Sequence, residues 1–207
     1  MSGQIETLRN VLQDFYLEFI ENPYLCYTEH GQHALFYTML YNAIPPEQRY
    51  VEWQGKRICV IQKEYPTAGN LGKPQRQHWD ISVIKNPPEC RVSNARFPYD
   101  MLSLAAVVEF GLNEGLEHLA DDIERISHRD ANVERGFVVH LYRLSKAGAK
   151  FSNRDWSPNS KQIVTKEKIT QLISEKKVEI YYGMTDSTGK HPLGVWLIKQ
   201  DKIEPLA

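Results

Sequence analysis

Two carboxylates stand beside short apolar runs, where a charge is costly. Asp80 precedes the largely apolar run 81–84, and Glu109 follows the run 104–108. Runs of this length and composition predict buried or half-buried strands. A buried carboxylate is destabilising unless it is paired, protonated or bound to a metal. Two of them on neighbouring strands could share one divalent cation. The plainer alternative is that each lies at a strand end, solvated or salt-bridged to an arginine.

The rest of the chain supplies the elements that must position these carboxylates. Apolar residues at three-and-four spacing predict helices at 4–22, 29–43, 114–128 and 165–176. Apolar runs predict strands at 50–53, 56–64, around Asp80, and at 104–112, 136–145, 178–183 and 193–198. We find no internal repeat and no clear linker. Residues 1–207 therefore predict a single α/β domain with a mixed central β-sheet flanked by helices.

Two of these predictions concern local detail that bears on the site. Residues 50–53 and 56–64 are predicted to form a hairpin whose second arm is a central strand. The helix at 114–128 is predicted to bury its leucines and isoleucines and to expose its acidic residues, Asp121 and Asp122 among them. Both predictions rest on the rule that apolar residues face the core and charged residues face water.

The composition is that of an ordinary globular protein. Of 207 residues, 42% are hydrophobic, and 25 Lys and Arg stand against 26 Asp and Glu, which gives a net charge of -1 at pH 7. Overall charge therefore does not favour a polyanionic partner. A local basic patch on a nearly neutral chain can still bind nucleic acid, so this partner stays among the candidates.

The cysteine pattern and the hydropathy of the sequence predict the cellular compartment of the protein. Cys26, Cys59 and Cys90 are odd in number, far apart and in no metal-like spacing. This pattern predicts a reducing compartment, without a disulfide framework or a cysteine-based zinc site. The N-terminus has no basic and apolar signal region, and no stretch approaches the roughly 20 apolar residues of a membrane span. We expect a soluble cytoplasmic protein without membrane contact. The sequence leaves open whether it is a monomer or a homodimer.

The order of elements around the two carboxylates resembles that of the PD-(D/E)XK superfamily, the restriction-endonuclease-like nucleases. Residues 78–83 and 107–111 carry the likeness. A helix with an acidic first turn and a hairpin precede them, and a helix and a strand follow, so the likeness covers roughly 29–145. The resemblance implies a restriction-endonuclease-like fold, a Mg²⁺ ion held by Asp80 and Glu109, and hydrolysis of phosphodiester bonds in nucleic acid. That reaction needs a cation to neutralise developing charge and to lower the pKa of bound water.

The sequence departs from the family at one position that matters for catalysis. In that family a lysine two residues after the glutamate helps to position or activate the attacking water, and this sequence has Gly111 there. Lys63, near the end of the preceding strand, is the first candidate for that role, and Arg76 in the following loop is the second. The alternatives are a catalytically inactive nuclease-fold module that binds a partner, and an unrelated α/β protein with structural carboxylates.

Further acidic and histidine side chains are candidates for the same site. Glu29 could be a third metal ligand, or a first-turn carboxylate favoured by the helix dipole. Glu64 could join Asp80 across the sheet, or be a solvated strand end. His30 and His33 have a ligand-like spacing on a helix. Without an HExxH motif or a third partner in the sequence, a zinc site at these histidines is disfavoured.

The segment 65–77 is rich in proline, glycine and basic residues, which predicts a loop. Within it, Lys73 and Arg76 could follow a nucleic-acid backbone, although exposed basic loops are also common without such a role. His140 lies inside a strongly apolar strand. It is predicted to be a core histidine with its hydrogen bonds satisfied.

Overall fold

A seven-stranded mixed β-sheet runs through the centre of the molecule. The computed structural model describes residues 2–92, 101–144, 163–173, 176, 178–186, 193–200 and 202–206. Their strands are β1 (Tyr50–Trp53), β2 (Lys56–Cys59), β3 (Ile61–Pro66), β4 (His78–Ile84), β5 (Cys90–Val92), β6 (Met101–Leu102), β7 (Leu104–Leu112), β8 (Val133–Leu144), β9 (Val178–Asp186), β10 (Gly194–Lys199) and β11 (Lys202–Pro205). The central sheet has the order β11-β10-β9-β8-β7-β4-β3. In it β7, β8 and β9 are parallel, and all other neighbours are antiparallel.

Two small sheets accompany the central one, because β1 pairs with β2 and β5 pairs with β6. The predicted hairpin is therefore correct for β1 and β2 but wrong for its second arm, since the chain leaves the hairpin at Val60. The backbone nitrogen of Val60 donates to the carbonyl of Arg49 at 2.9 Å, and its carbonyl accepts from Ile84 at 2.7 Å. The segment that follows becomes β3, which stands at the end of the sheet and not at its centre.

Helices cover both faces of the central sheet. The described residues form α1 (Ser2–Glu21), α2 (Glu29–Ala43), α3 (Leu116–Ser127) and α4 (Lys166–Ile173), with a short 3-10 helix at Pro46–Gln48. Phe110 of β7 packs its ring against Phe15 of α1 and Phe36 of α2, at centroid distances of 5.9 and 5.5 Å. The preceding side chain on β7, that of Glu109, points to the opposite face, and its Oε2 lies 3.1 Å from Nη2 of Arg125 on α3. The predicted α/β domain, with helices on both sides of a mixed sheet, is confirmed.

The N-terminus of α2 is fixed by its capping residue. Oγ1 of Thr28 accepts a hydrogen bond from the backbone nitrogen of Gly31 at 3.1 Å, which satisfies one of the amides that a helix leaves unpaired. Glu29, His30 and His33 consequently lie in the first turns of the helix. This end of α2 is the part that reaches the candidate site.

The longest helix in the described part of the chain is α1, with 20 residues. It buries Leu8, Leu12, Phe15 and Phe19, and it contacts β9 and β10 of the central sheet. Across the described residues, no helix is both long and apolar enough to cross a membrane.

The helix α3 buries charged side chains as well as apolar ones. Leu119, Ile123 and Ile126 are buried, as predicted, but Asp122 and Arg125 are only 3% and 8% exposed. The predicted solvated side of this helix is therefore wrong at Asp122. Its carboxylate forms a buried ion pair with Arg125 at 2.7 Å, and such pairing lowers the cost of removing both charges from water.

Candidate functional site

The candidate site opens where β4 and β7 part. The antiparallel ladder between these strands ends at the pair Ile81 and Val108. Beyond it, the backbone nitrogen of Phe110 donates to Oδ2 of Asp80 at 2.9 Å. The same register, continued by one residue, sets Asp80 opposite Glu109. The two carboxylates predicted to share a cation therefore belong to neighbouring strands and meet at one opening.

The next amide on this edge of β7 binds a carboxylate of α2. The backbone nitrogen of Leu112 donates to Oε2 of Glu29 at 3.0 Å. Burial raises the pKa of Glu29, the hydrogen bond from Leu112 lowers it, and the charge of Asp80 raises it again. Glu29 is thus a fixed acidic group beside Asp80, on the edge of β7 that β4 leaves uncovered.

Glu109 is the most deeply buried acidic group of the site, with 2% of its surface exposed. Its Oε2 lies 3.1 Å from Nη2 of Arg125. Its Oε1 is buried and has no hydrogen-bond partner among the described residues. Burial raises the pKa of Glu109 well above its usual range, and the charges of Asp80 and Asp122 raise it further, while Arg125 opposes them. The site therefore holds more negative charge than its own arginine balances.

A polar stripe on α3 closes one side of the opening. Nη2 of Arg125 lies 2.7 Å from Oδ1 of Asp122, and Oδ2 of Asp122 lies 3.2 Å from Nδ1 of His118. The carboxylate of Asp122 raises the pKa of His118 to about 9, so this imidazole is protonated at neutral pH. Sequence reasoning missed this network. Its signal was the spacing of these three residues, which are four and three apart and so share one face of a helix.

Glu64 approaches from the other side, on β3. Its neighbours Lys63 and Tyr65 pair with Ile81 and Trp79, which sets Glu64 across from Asp80. The Glu64 side chain is 50% exposed and lines the same cleft as Asp80. Nζ of Lys63 lies 3.0 Å from Oε1 of Glu64. Burial lowers the pKa of His33, and the positive charge of Lys63 lowers it as well, while Asp80 opposes them. Lys63 is therefore close to the opening, paired with one of its carboxylates.

Gly111 occupies the position where the nuclease motif has its lysine, and the space beside it is narrow. A Cβ atom at Gly111 would lie 3.3 Å from Nδ1 of His140 and 3.6 Å from Nδ1 of His118. A larger side chain would require these neighbours to move. The imidazolium of His118 therefore lies close to this position.

His140 shows which ring nitrogen carries its proton. The hydroxyl of Tyr142 donates to the carbonyl of Glu114 at 2.8 Å and accepts from the backbone nitrogen of Val164 at 3.0 Å. Because this hydroxyl already donates its one proton to Glu114, it accepts the hydrogen bond from Nε2 of His140, at 2.9 Å. Nδ1 of His140 is then an acceptor without a partner among the described residues, so the prediction of a fully satisfied core histidine is correct for one nitrogen only.

The predicted nucleic-acid-binding residues of the loop lie in two different places. Lys73 forms an ion pair with Asp121, whose side chain lines the cleft, so Lys73 stands at the rim of the site. Arg76 donates from Nε to the carbonyl of Thr67 at 2.6 Å and contacts the sulfur of Met101 at 3.1 Å. Its guanidinium therefore joins the two ends of the loop 65–77, and Arg76 does not belong to the described residues that line the cleft.

The two histidines of α2 lie near Glu64, in the layer opposite to α3. His33 is 1% exposed, its ring packs on Phe110 at a centroid distance of 4.7 Å, and its Nε2 lies 3.6 Å from Oδ2 of Asp80. Ligand atoms of His30, His33 and Glu64 all lie within 4.8 Å of one another. The third partner that the sequence did not indicate is thus supplied by β3.

A cleft of about 530 Å³ is lined by many of these side chains, those of His118 and Arg125 among them. Its acidic lining residues are Glu29, Glu64, Asp80, Glu109, Glu117, Asp121 and Asp122. No protein-family model, curated protein or solved structure matches this chain. Several carboxylates surround Oε1 of Glu109, which is buried and has no partner among the described residues, and such a site is suited to binding a cation. An anionic substrate would need that cation between itself and the carboxylates.

Proposed function

We propose that this cleft hydrolyses phosphodiester bonds of nucleic acid with the help of Mg²⁺. The observation that carries the proposal is the pair Asp80 and Glu109, which stand across one opening between β4 and β7. The order of elements supports the same proposal. The helix α2, which begins with Glu29, precedes β3. Then β4 carries Asp80, β7 carries Glu109, and α3 and β8 follow, as the resemblance to the PD-(D/E)XK nucleases implies.

The donor atoms fit magnesium. Mg²⁺ prefers oxygen ligands and keeps several waters, so that one or two carboxylates suffice to hold it. Asp80 and Glu109 would hold the ion, Oε1 of Glu109 being the buried oxygen that lacks a partner among the described residues, and Glu29 would support it. When bound, the ion would neutralise charge that develops on the phosphate and lower the pKa of a bound water.

Arg125 is a positioning residue in this proposal. It binds Oε2 of Glu109 and leaves Oε1 without a hydrogen-bond partner among the described residues. It also binds Asp122, which in turn faces His118. This chain of contacts fixes the glutamate on a rigid helix and sheet, as a metal ligand requires.

The positive charge that the missing lysine would provide comes from other residues. His118, protonated at neutral pH and adjacent to Gly111, is placed to donate a hydrogen bond to a phosphate oxygen. Lys63 remains the candidate that orients the attacking water, because it reaches Glu64 at the edge of the cleft. In the reaction a bond forms between the water oxygen and phosphorus, the bond from phosphorus to the leaving sugar oxygen breaks, and that oxygen takes up a proton.

Nucleic acid would approach along the rim that Lys73 occupies. Release of Lys73 from Asp121 would let its ammonium contact a backbone phosphate next to the scissile one. Because the overall charge is -1, such contacts are local. We therefore expect the affinity for nucleic acid to fall with salt concentration as it does for a protein that contacts only a few phosphates.

A second candidate function is a nuclease-like module that binds a partner without catalysis. Two observations favour it: Gly111 has no ammonium to offer, and Arg125 already pairs with Glu109. A module of this kind would keep the fold and the nucleic-acid rim while leaving phosphodiester bonds intact. Cation binding and cleavage therefore have to be measured separately.

The experiment starts with calorimetric titration of Mg²⁺ and Mn²⁺ into the wild type, Asp80→Asn and Glu109→Gln. Asparagine keeps an oxygen for the amide of Phe110, and glutamine keeps the shape of the glutamate, so the fold is preserved while charge is removed. Glu124→Gln, on the exposed side of α3, is the matched control. We expect binding to one site in the wild type and the control, and at least a tenfold loss in both cleft variants, a change of about 1.4 kcal/mol or more.

Cleavage is then assayed on single-stranded and double-stranded DNA and RNA, with and without the metal. Metal-dependent cleavage that disappears in Asp80→Asn and persists in Glu124→Gln supports the nuclease. Metal binding without cleavage of any of these substrates favours the non-catalytic module. Metal binding that is equal in all four proteins would show that the carboxylate pair is structural.

A further inference from the structure

A second group of possible ligands lies next to the carboxylate pair, on the face of the sheet covered by α2. His30 and His33 are three residues apart in the first turns of this helix, and their rings are 5.4 Å apart between centroids. Glu64 reaches them from β3. One ligand atom from each of these residues lies within 4.8 Å of the others.

His33 gives an independent reason to expect a ligand here. Its side chain is 1% exposed, and neither Nδ1 nor Nε2 has a hydrogen-bond partner among the described residues. A buried imidazole without partners is destabilising, and such groups are rare in folded proteins. The nearest carboxylate oxygen, Oδ2 of Asp80, is 3.6 Å from Nε2, beyond a normal hydrogen bond. A bound cation would supply the missing partner.

We propose that His30, His33 and Glu64 bind a Zn²⁺ ion through two imidazole nitrogens and one carboxylate oxygen. Three protein ligands of this kind are characteristic of zinc sites that keep a further position for water. Two nitrogen donors also distinguish the site from the carboxylate pair of β4 and β7, because Mg²⁺ binds oxygen ligands and imidazole favours zinc and its neighbours.

One neighbouring side chain would favour binding of the ion, and another would compete with the ion for its carboxylate ligand. Asp80 faces His33 at 3.6 Å, and a carboxylate beside a ligand histidine commonly orients its ring. Lys63 pairs with Glu64 at 3.0 Å and would have to give up this contact. Asp80 therefore lies between the two sites. The zinc site does not depend on the proposed nuclease activity, since its ligands belong to α2 and β3.

The test uses the full chain, treated with a chelator and then titrated with Zn²⁺ in competition with a chromophoric chelator. The variants are His30→Gln and Glu64→Gln, both at exposed positions where loss of the side chain should leave the fold intact. His128→Gln is the matched histidine control, because this residue lies at the far end of α3. Glu109→Gln removes a carboxylate from the magnesium site without touching the proposed zinc ligands. Circular dichroism verifies the fold of every variant.

We expect one equivalent of Zn²⁺ in the wild type and an affinity at least about tenfold lower in His30→Gln and Glu64→Gln. His128→Gln and Glu109→Gln should bind as the wild type does. Co²⁺ in place of Zn²⁺ should give a visible absorption spectrum that changes in His30→Gln and not in Glu109→Gln. The proposal is overturned if the wild type binds no Zn²⁺, if binding survives both ligand substitutions, or if Glu109→Gln abolishes it.

Discussion

The carboxylate of Asp80 accepts a hydrogen bond from the backbone nitrogen of Phe110 at 2.9 Å, just beyond the last paired residues of β4 and β7. This side chain satisfies an amide that the departing strand no longer reaches. Glu29 does the same for Leu112 at 3.0 Å. The separation of the strands, which creates the cleft, is thus stabilised by two of the acidic groups that the cleft would use to hold a cation.

Asp80 accepts the hydrogen bond of Phe110 and is also a proposed metal ligand, so two different substitutions of Asp80 should separate the effect on stability from the effect on metal binding. Asp80→Ala leaves the amide of Phe110 without its partner, and we expect a loss of about 1–3 kcal/mol in the free energy of unfolding. Asp80→Asn retains an acceptor and should lose much less, while both variants lose Mg²⁺ binding. Urea unfolding of the two variants without metal measures the difference. Equal stabilities would mean that water replaces the carboxylate at this amide.

Arg125 is expected to be the most sensitive residue of α3. Arg125→Met leaves Glu109 as a buried carboxylate without its cation and removes one of the two cationic partners of Asp122, and breaking a buried ion pair in this way typically costs about 3–5 kcal/mol. Arg125→Met combined with Glu109→Gln should recover part of that loss, because the unpaired charge of Glu109 is then gone. Arg129→Met, at a side chain 90% exposed, is the control and should stay within about 0.5 kcal/mol of the wild type. Similar losses in both single variants would contradict a buried ion pair at Arg125.

The elevated pKa of His118 predicts a loss of stability at alkaline pH. Its pKa is about 9 in the folded protein, against an ordinary value of 6.5, and Asp122, Glu114 and Glu29 are the acidic groups that raise it. The stabilisation is complete below about pH 6.5 and is lost as the pH rises through about 9. His118→Gln should therefore reduce the free energy of unfolding clearly at about pH 6 and hardly at about pH 10. A double-mutant cycle with Asp122→Asn isolates the pair, and a coupling that does not vary with pH would exclude this origin.

The fold was largely predictable, because periodicity and apolar runs report burial directly. The run 104–108 and the strand that carries Asp80 were recognisable, and their succession along the chain pointed to a mixed sheet. What the pattern could not reveal depends on pairing across the molecule. Asp122 and Arg125 are buried because each neutralises the other, and hydropathy assigns both to the surface.

The same limit applies to the site. From the sequence, Glu29 is either a first-turn carboxylate favoured by the helix dipole or a metal ligand. Its hydrogen bond from Leu112 depends on the separation of β4 from β7, which leaves this amide free of a strand partner. Glu64 meets His30 and His33 because β3 contacts α2, and these two segments are about 30 residues apart on the chain. Spacing within one helix or strand is visible in a sequence, whereas ligands drawn from several elements require the register of the sheet.

His140 should make the protein less stable in acid. Burial, together with the positive charge of His118, lowers the pKa of His140 to about 4, so the folded state resists protonation that the unfolded state accepts near 6.5. Stability is therefore lost as the pH falls from about 6.5 to about 4, by roughly 3 kcal/mol for this residue. His140→Gln keeps a donor for Tyr142 and should remove that part of the pH dependence. Parallel curves for the two proteins between about pH 7 and pH 4 would refute the prediction.

Lys63 is expected to act in opposite directions on the two proposed functions. It pairs with Glu64 at 3.0 Å, so Lys63→Gln frees this carboxylate for Zn²⁺, and the affinity should rise by up to about fivefold, the equivalent of about 1 kcal/mol for an exposed ion pair. In the nuclease reaction the same substitution removes the candidate that orients the attacking water, and cleavage should slow by about a hundredfold or more. Lys56→Gln, on the exposed strand β2, is the matched control and should change neither quantity. Slower cleavage would place Lys63 in the catalytic cleft. Unchanged cleavage with a raised zinc affinity would leave His118 as the cation that replaces the motif's lysine.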